Sequence, residues 1–330
     1  MKLLLEKGEP HMRTQPTINA NKQAQKRFSA FKWKGRWESP VAGYLFISPW
    51  LLGFLLLTLW PMIRSVYYSF TKFTLLDAPD WIGLRNYERI FADDETFRQS
   101  LTVTLLFVVI SVPLKLVTAL LVAMLLNKNI KGISIYRTFI YLPSLIGSSI
   151  AVAVLWKNIF GIDGFINKFL NLFGIEGISW ISSPGTALGT LIILVAWQFG
   201  SSMVIFLAGL KQISSELYEA SSVDGASKLR QFFNITLPML SPVLLFNLVL
   251  QTIGSFQMFT QAFIITKGGP INSTYMYALY LYERAFARYD MGYASALAWI
   301  LLVIIGIATA LIFASSRYWV FYETEGGRKS

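Results

Sequence analysis

The sequence predicts an all-α polytopic membrane protein with six transmembrane helices, and three observations carry that prediction. Apolar residues make up 54% of the 330 and charged residues only 14%, with a mean hydropathy of +0.51. A soluble domain carries about 25% charge, and so little charge does not cover a water-exposed surface. Six apolar stretches reach the roughly 20 residues that a helix needs to cross a hydrocarbon core of about 30 Å. None of them alternates in polarity as the ~10-residue strands of a membrane barrel do.

The elements follow in chain order. Residues 1–39 begin with a short apolar run, Leu3–Leu5, and continue rich in Lys, Arg, Gln and Asn. A signal peptide would place a longer apolar run directly after its basic start, so this segment reads as a basic cytoplasmic arm. The spans are expected at Val41–Ile63, Ser100–Leu126, Thr138–Trp156, Gly185–Leu210, Leu240–Thr266 and Gly292–Ser316. They define one membrane domain over 40–316, followed by a short cytoplasmic tail, 317–330. Five of the six spans contain no Asp, Glu, Lys or Arg, and the second carries a single charge, Lys115.

Composition and charge exclude several chemistries. No cysteine is present, so there is no disulfide framework or thiolate site. The one histidine, His11, lies in the arm without the partners that metal or triad chemistry needs. With the N-terminus inside, the segments 1–40, 127–137, 211–239 and 317–330 hold 18 basic and 8 acidic residues. The outside segments 64–99, 157–184 and 267–291 hold 10 of each. The net charge of +11 therefore follows membrane topology and attraction to anionic lipid. No aromatic–basic groove accompanies it, so nucleic acid is not an expected partner.

The loop 214–238 is the most informative segment. Ser214 or Ser215 can cap a short helix with Glu216 in its first turn. Asp224-Gly225 ends that helix, since glycine readily takes the left-handed conformation there. A second short helix is expected from Ala226 to about Ile235, with Leu229, Phe232 and Phe233 as its apolar face, and Pro238 marks the approach to the fifth span. The result is a helix–turn–helix knuckle carrying an apolar face and an acidic residue, Glu219.

Glu219-Ala220-Ser221, Gly225 after three further residues, then Ile235 and Leu237-Pro238, resembles the EAA loop of binding-protein-dependent ABC importer permeases. Ser221 departs from the usual Ala by one small residue for another. Tyr44-Leu-Phe-Ile-Ser-Pro-Trp50, Gly83-Leu-Arg-Asn-Tyr87, Thr266-Lys-Gly-Gly-Pro270 with Ser273-Thr274, and Gly292-Tyr-Ala-Ser-Ala296 extend the resemblance to the carbohydrate branch, over residues 40 to 316. It is similar to the first permease of the maltose, glycerol-3-phosphate and lactose importers. The resemblance implies a bacterial inner-membrane protein with both termini cytoplasmic. Its implied partners are a second homologous permease, two copies of a cytoplasmic ABC ATPase and an external solute-binding protein, with a sugar as the solute.

The resemblance also implies that the loop is a coupling helix seated in a groove of the ATPase. The residues suit that role: apolar side chains anchor in a pocket and Glu219 can pair with a base. Glu219, Ala220, Ser221, Asp224, Gly225, Leu229, Phe232, Phe233, Leu237 and Pro238 are the candidate coupling residues. No G-x-x-x-x-G-K-[ST] phosphate loop occurs, and Gly326-Gly-Arg-Lys-Ser330 lacks the spacing. ATP and Mg²⁺ are therefore expected on the separate ATPase, with no enzyme activity and no cofactor or metal on this chain.

Polar side chains inside spans tend to face the bundle interior. Positions 197, 198 and 201 of the fourth span share a helical face, as do 251, 254, 255 and 258 of the fifth. Trp197, Gln198, Ser201, Gln251, Gly254, Ser255 and Met258 thus supply the apolar surface, amides and hydroxyls that a sugar needs. In the maltose permeases that the chain resembles, these two spans supply the solute contacts. Helix packing through small and amide residues is the competing reading. Lys115 sits mid-span with no acidic residue in any span to pair with it. It needs backbone carbonyls, water, the second permease or an anionic solute such as a uronate. Tyr275, Tyr277, Tyr280, Tyr282 and Tyr289 read as an interfacial belt or as a binding-protein contact. An ion-coupled secondary transporter is the alternative function, but it calls for intramembrane Asp or Glu. A membrane scaffold leaves the polar faces unexplained.

Overall fold

The computed structural model describes residues 40–128, 131–147 and 149–322. The basic arm, His11 and the end of the tail lie outside the described residues. The chain divides into two compact units, the first ending at Ile63 and the second starting at Arg64. In the first, α1 (Pro40–Phe54) passes through a π-helical turn, Leu55–Leu59, into the start of α2 (Trp60–Ser69), whose residues from Arg64 on belong to the second unit. The first unit's large apolar side chains, among them Trp50, Leu56 and Leu57, are exposed, as suits a lipid-facing helix.

The second unit is almost wholly helical. After a two-residue antiparallel hairpin, Thr71–Lys72 with Asp80–Trp81, come α3 (Arg85–Ala92), α4 (Glu95–Leu126), α5 (Ile133–Ile146), α6 (Ile150–Ile159) and α7 (Phe165–Asn171). Next are α8 (Pro184–Trp197), α9 (Gly200–Leu210), α10 (Ser215–Val223), α11 (Lys228–Gln231) and α12 (Leu237–Phe256). The chain closes with α13 (Tyr277–Tyr282) and α14 (Met291–Trp319). Four continuous helical segments are long and apolar enough to cross a bilayer: Gly43–Ser69, Glu95–Leu126, Lys228–Phe256 and Met291–Trp319. Two broken pairs, α5 with α6 and α8 with α9, bring the total to six if each is one span.

The 32-residue α4 is the central column, packing against α8, α9 and α12. Val108, Val112, Leu116, Ala119, Ala123 and Leu126 are buried along it, the three-and-four spacing that puts side chains on one helical face. Small residues allow the neighbours to approach. A Cβ on Gly200 would lie 2.6 Å from Ser144 Oγ and 3.1 Å from the Tyr141 Cα, so α9 meets α5 nearly backbone to backbone.

The fifth span departs from its expected bounds at both ends. It starts at Lys228, inside the loop, and runs without interruption through Pro238 to Phe256. Proline lacks the N–H that an α-helix requires. Here a π-helical turn, Phe232–Thr236, precedes it, with the Leu237 N–H donating to the Phe232 carbonyl, and the shifted register carries the helix past the proline. The separate second loop helix is thus the first turns of a 29-residue span. At the other end the helix stops at Phe256, and residues 257–259 separate it from a π-helical turn at Ala262–Thr266. The fourth span is likewise two helices, bent by 42° at Gln198–Phe199.

Candidate functional site

The knuckle at 214–238 is built by two caps and one buried amide. Ser214 Oγ accepts from the Glu216 N–H at 3.3 Å, and Ser227 Oγ accepts from the Arg230 N–H at 3.3 Å. Between them Gly225 adopts φ +77°, the left-handed conformation that a side chain makes costly. Gln231, 3% exposed, then fastens one helix to the other. Its amide nitrogen donates to the Tyr218 carbonyl at 3.2 Å and to the hydroxyls of Ser221 and Ser222 at 2.9 Å. Tyr218 adds a second tie through its hydroxyl, 2.9 Å from Thr236 Oγ1.

This rigid turn presents Glu219, Ala220 and Asp224 at its surface, beside exposed Leu217, Val223, Leu229 and Phe233. Other expected coupling residues sit differently. Ser221 is half-buried and held by Gln231, and Phe232 is half-buried with its ring 5.0 Å from that of Phe233. Leu237 and Pro238 are half-buried within the continuous fifth span rather than on the knuckle surface. The fastening role of Gln231 has no sequence signal: it is one polar residue in the run Lys-Leu-Arg-Gln.

A second feature lies among α4, α8 and the break after α12. A cavity of about 270 Å³ is lined by Lys115, Gln198, Gln251, Gly254, Ser255 and Met258 of the expected solute residues. Gln257 and Gln261 join them. Trp197 and Ser201 do not line it. The break at Gln198 ends the helical face that was expected to align 197, 198 and 201. The Trp197 ring packs 5.8 Å from that of Trp156, and Ser201 is exposed. Met258 reaches the cavity from the irregular turn, not from the helix face.

Gln198 Nε2 donates to the Gly147 carbonyl at 2.8 Å, and Gln261 Nε2 reaches the same oxygen at 3.5 Å. A Cβ on Gly147 would lie 2.5 Å from Gln198 Cγ and 2.6 Å from the Pro143 carbonyl, so only glycine fits there. Among the described residues Lys115 makes no hydrogen bond or ion pair, and no carboxylate lines the cavity. No group of three or more His, Cys, Asp or Glu side chains converges as a metal site among the described residues.

A third cluster escaped the sequence reading. Asp94 caps α4 by accepting from the Phe97 N–H at 2.9 Å. Its other oxygen accepts from the hydroxyls of Tyr280 and Tyr293 and lies 3.5 Å from the Arg284 guanidinium. Arg284 Nε donates to Tyr280 at 2.9 Å, and its guanidinium stacks 4.7 Å from the Tyr293 ring centroid. Burial pushes the Asp94 carboxyl up, but the two hydroxyls, the amide and the guanidinium together hold it below its ordinary value. Burial and the bond to Asp94 push the Tyr280 phenol up to about 12. The expected tyrosine belt is thereby corrected: Tyr275, Tyr277 and Tyr280 are buried, and only Tyr282 and Tyr289 are exposed.

Residues 96–320 match the family described as binding-protein-dependent transport system inner membrane component. The chain is 54% identical over 288 residues to the probable ABC transporter permease protein YesP of Bacillus subtilis (strain 168), covering 86% of this chain and 93% of that protein. It is 33% identical over 285 residues to the lactose transport system permease protein LacF of Rhizobium radiobacter, covering 84% and 94%. A solved bacterial alginate ABC transporter, in complex with an alginate pentasaccharide-bound periplasmic protein, has a chain that superposes with TM-score 0.75 at 21% identity, over 87% of this chain and 97% of that one. The last likeness is one of fold. The multi-pass helices, the knuckle and the extent of these matches agree, and the chain belongs to the family of binding-protein-dependent transport system inner membrane components.

Proposed function

We propose that this chain is a pore-forming permease of an ATP-driven importer, and that its solute is a sugar or oligosaccharide delivered by a solute-binding protein. The observation that carries the proposal is the rigid knuckle, with exposed acidic and apolar side chains, in a chain of this family. In this reading the knuckle seats in a groove of a cytoplasmic ATPase, and closure of an ATPase pair on ATP is transmitted to the spans. A second, homologous permease completes the pore, and hydrolysis belongs to the ATPase. The cavity offers amides, hydroxyls and apolar surface in the mixture that sugars bind. The relatives' names, a lactose permease among them, support the solute class.

The experiment is reconstitution of the permease pair, ATPase and binding protein in liposomes. Sugar-loaded binding protein is expected to stimulate ATP hydrolysis several-fold and to drive uptake of labelled sugar. Stimulation and uptake that persist without this chain would overturn the proposal.

A further inference from the structure

Lys115 is the one charge within the expected spans, and the structure places it on the wall of the polar cavity. It is held on α4, the most heavily packed helix, about eleven residues from the Leu126 end, or roughly 16 Å at 1.5 Å per residue. A lysine stem covers only part of that distance, so the ammonium does not reach the inner surface by extension alone. A charge at that depth is retained where something compensates it. Among the described residues no side chain does so: Lys115 has neither a hydrogen bond nor an ion pair, and the walls carry no carboxylate.

The rest of the wall is polar in a particular way. Gln198, Gln251, Gln257 and Gln261 all contribute. The first and last commit their amide nitrogens to the Gly147 carbonyl, which leaves their carbonyl oxygens as acceptors. Gln251 and Gln257 make no side-chain hydrogen bond among the described residues. A lone cation among amide donors and acceptors, with Ser255 beside them, matches a ligand that carries one anionic group and many hydroxyls.

We infer that this cavity is a subsite for an acidic sugar, in which Lys115 receives the carboxylate of a uronic-acid residue and the glutamines receive its hydroxyls. The inference rests on the permease reading above and adds the charge class of the solute. The ion pair would form only with solute present, so Lys115 would select against neutral sugars, whose passage leaves the ammonium uncompensated.

The test uses the reconstituted importer. Trimeric uronides of the glucose, mannose and galactose series are compared with their carboxyl-reduced neutral counterparts, by labelled uptake. At least one uronide is expected to be imported tenfold or more efficiently than its neutral counterpart. Lys115→Met should abolish that preference, and Lys115→Arg should retain most of it. Gln251→Glu places a competing carboxylate in the same cavity and should lower uronide uptake about tenfold, which serves where Lys115→Met assembles poorly. Import of the neutral series at equal or greater efficiency would overturn the inference and leave the permease reading standing. Unchanged uronide uptake in Lys115→Met would also overturn it, as would equal losses for acidic and neutral sugars in Lys115→Met and Gln251→Glu. Import of neither series would count against both.

Discussion

At the scale of single residues, Asp94 concentrates the most interactions in the least space. It caps the central helix and receives two phenols and a guanidinium, so it ties the start of α4 to the segments around α13 and α14. Both members of the ion pair are nearly buried, with side chains 11% exposed for Arg284 and 6% for Asp94. Removing one partner from such a pair leaves the other charge uncompensated, typically costing 3–5 kcal/mol. Asp94→Asn keeps one acceptor and should therefore destabilise by about 3 kcal/mol, seen as a lowered melting temperature of the detergent-purified protein. The pH dependence has a definite sign. The folded state holds the Asp94 carboxyl below its ordinary value, so its contribution is complete above the unfolded value of about 4. It is lost as pH falls through the folded value. Wild type should lose stability in that acid window, and Asp94→Asn should lose correspondingly less. The sequence did not reveal this hub. Asp94 stands in an acidic run, Asp93-Asp94-Glu95, with no mark to single it out, and its tyrosine partners resemble membrane-interface aromatics until the fold brings them together.

At the scale of elements, the knuckle stands on a turn and a clamp that can be broken separately. Gly225 has open space around a hypothetical Cβ but a φ of +77°. Gly225→Ala should then cost only the left-handed penalty of about 1–2 kcal/mol. Gly225→Pro is incompatible, because the ring fixes φ near −65°. Glu219→Lys leaves the turn intact and reverses an exposed charge. The proline and lysine variants should remain in the membrane and lose solute-stimulated ATP hydrolysis, with Gly225→Ala close to wild type. Normal stimulation in both would remove the knuckle from the coupling path. Gln231→Ala should loosen the clamp, with faster amide hydrogen exchange over 215–231 and weaker stimulation; unchanged exchange would show that Tyr218–Thr236 suffices. The first cap and the turn of this element were legible, because Ser214, Asp224 and Gly225 act through local backbone chemistry; the second cap, Ser227, lies inside what read as the helix starting at Ala226. The element's far boundary was not legible. Pro238 reads as a helix start, and nothing in the composition announces the π-helical turn that carries the helix through it. The same limit affected the cavity. Helical spacing grouped Gln251, Gly254 and Ser255, which share the cavity wall, but the break at Gln198 removed Trp197 and Ser201 from it. Gln257, in the irregular turn, and Gln261, just before the π-helical turn, are polar residues of the expected fifth span that also reach the wall.

At the scale of the whole molecule, apolar runs made the membrane crossings legible, since length and lack of charge are properties of sequence alone. The number of crossings is a separate matter, because α5 with α6 and α8 with α9 each either cross once or turn back to the same side. Loop charge is the same either way: 157–184 holds two basic and two acidic residues, so moving it to the inside leaves the basic excess there unchanged. In the six-crossing reading expected from the sequence, 127–137 and 211–239 lie inside and 157–184 outside. The absence of cysteine makes this directly measurable, since any introduced thiol is the only one. Lys128, Asp163 and Val223 are all exposed, and each lies between a different pair of hydrophobic segments. With a membrane-impermeant maleimide, Lys128→Cys and Val223→Cys should label only from the cytoplasmic side, and Asp163→Cys only from the outside. Tyr289→Cys, beyond the fifth span, should label from the outside as well. If both broken pairs were re-entrant, positions 128, 163 and 223 would all label from one side, giving four crossings in place of six. That result would also move the cavity, because Gln198 sits at the break of α8 and α9 and Lys115 at mid-depth of α4. A four-crossing topology would leave Gln198 on a re-entrant segment, where the cavity would be a dead end and not part of a path across the membrane.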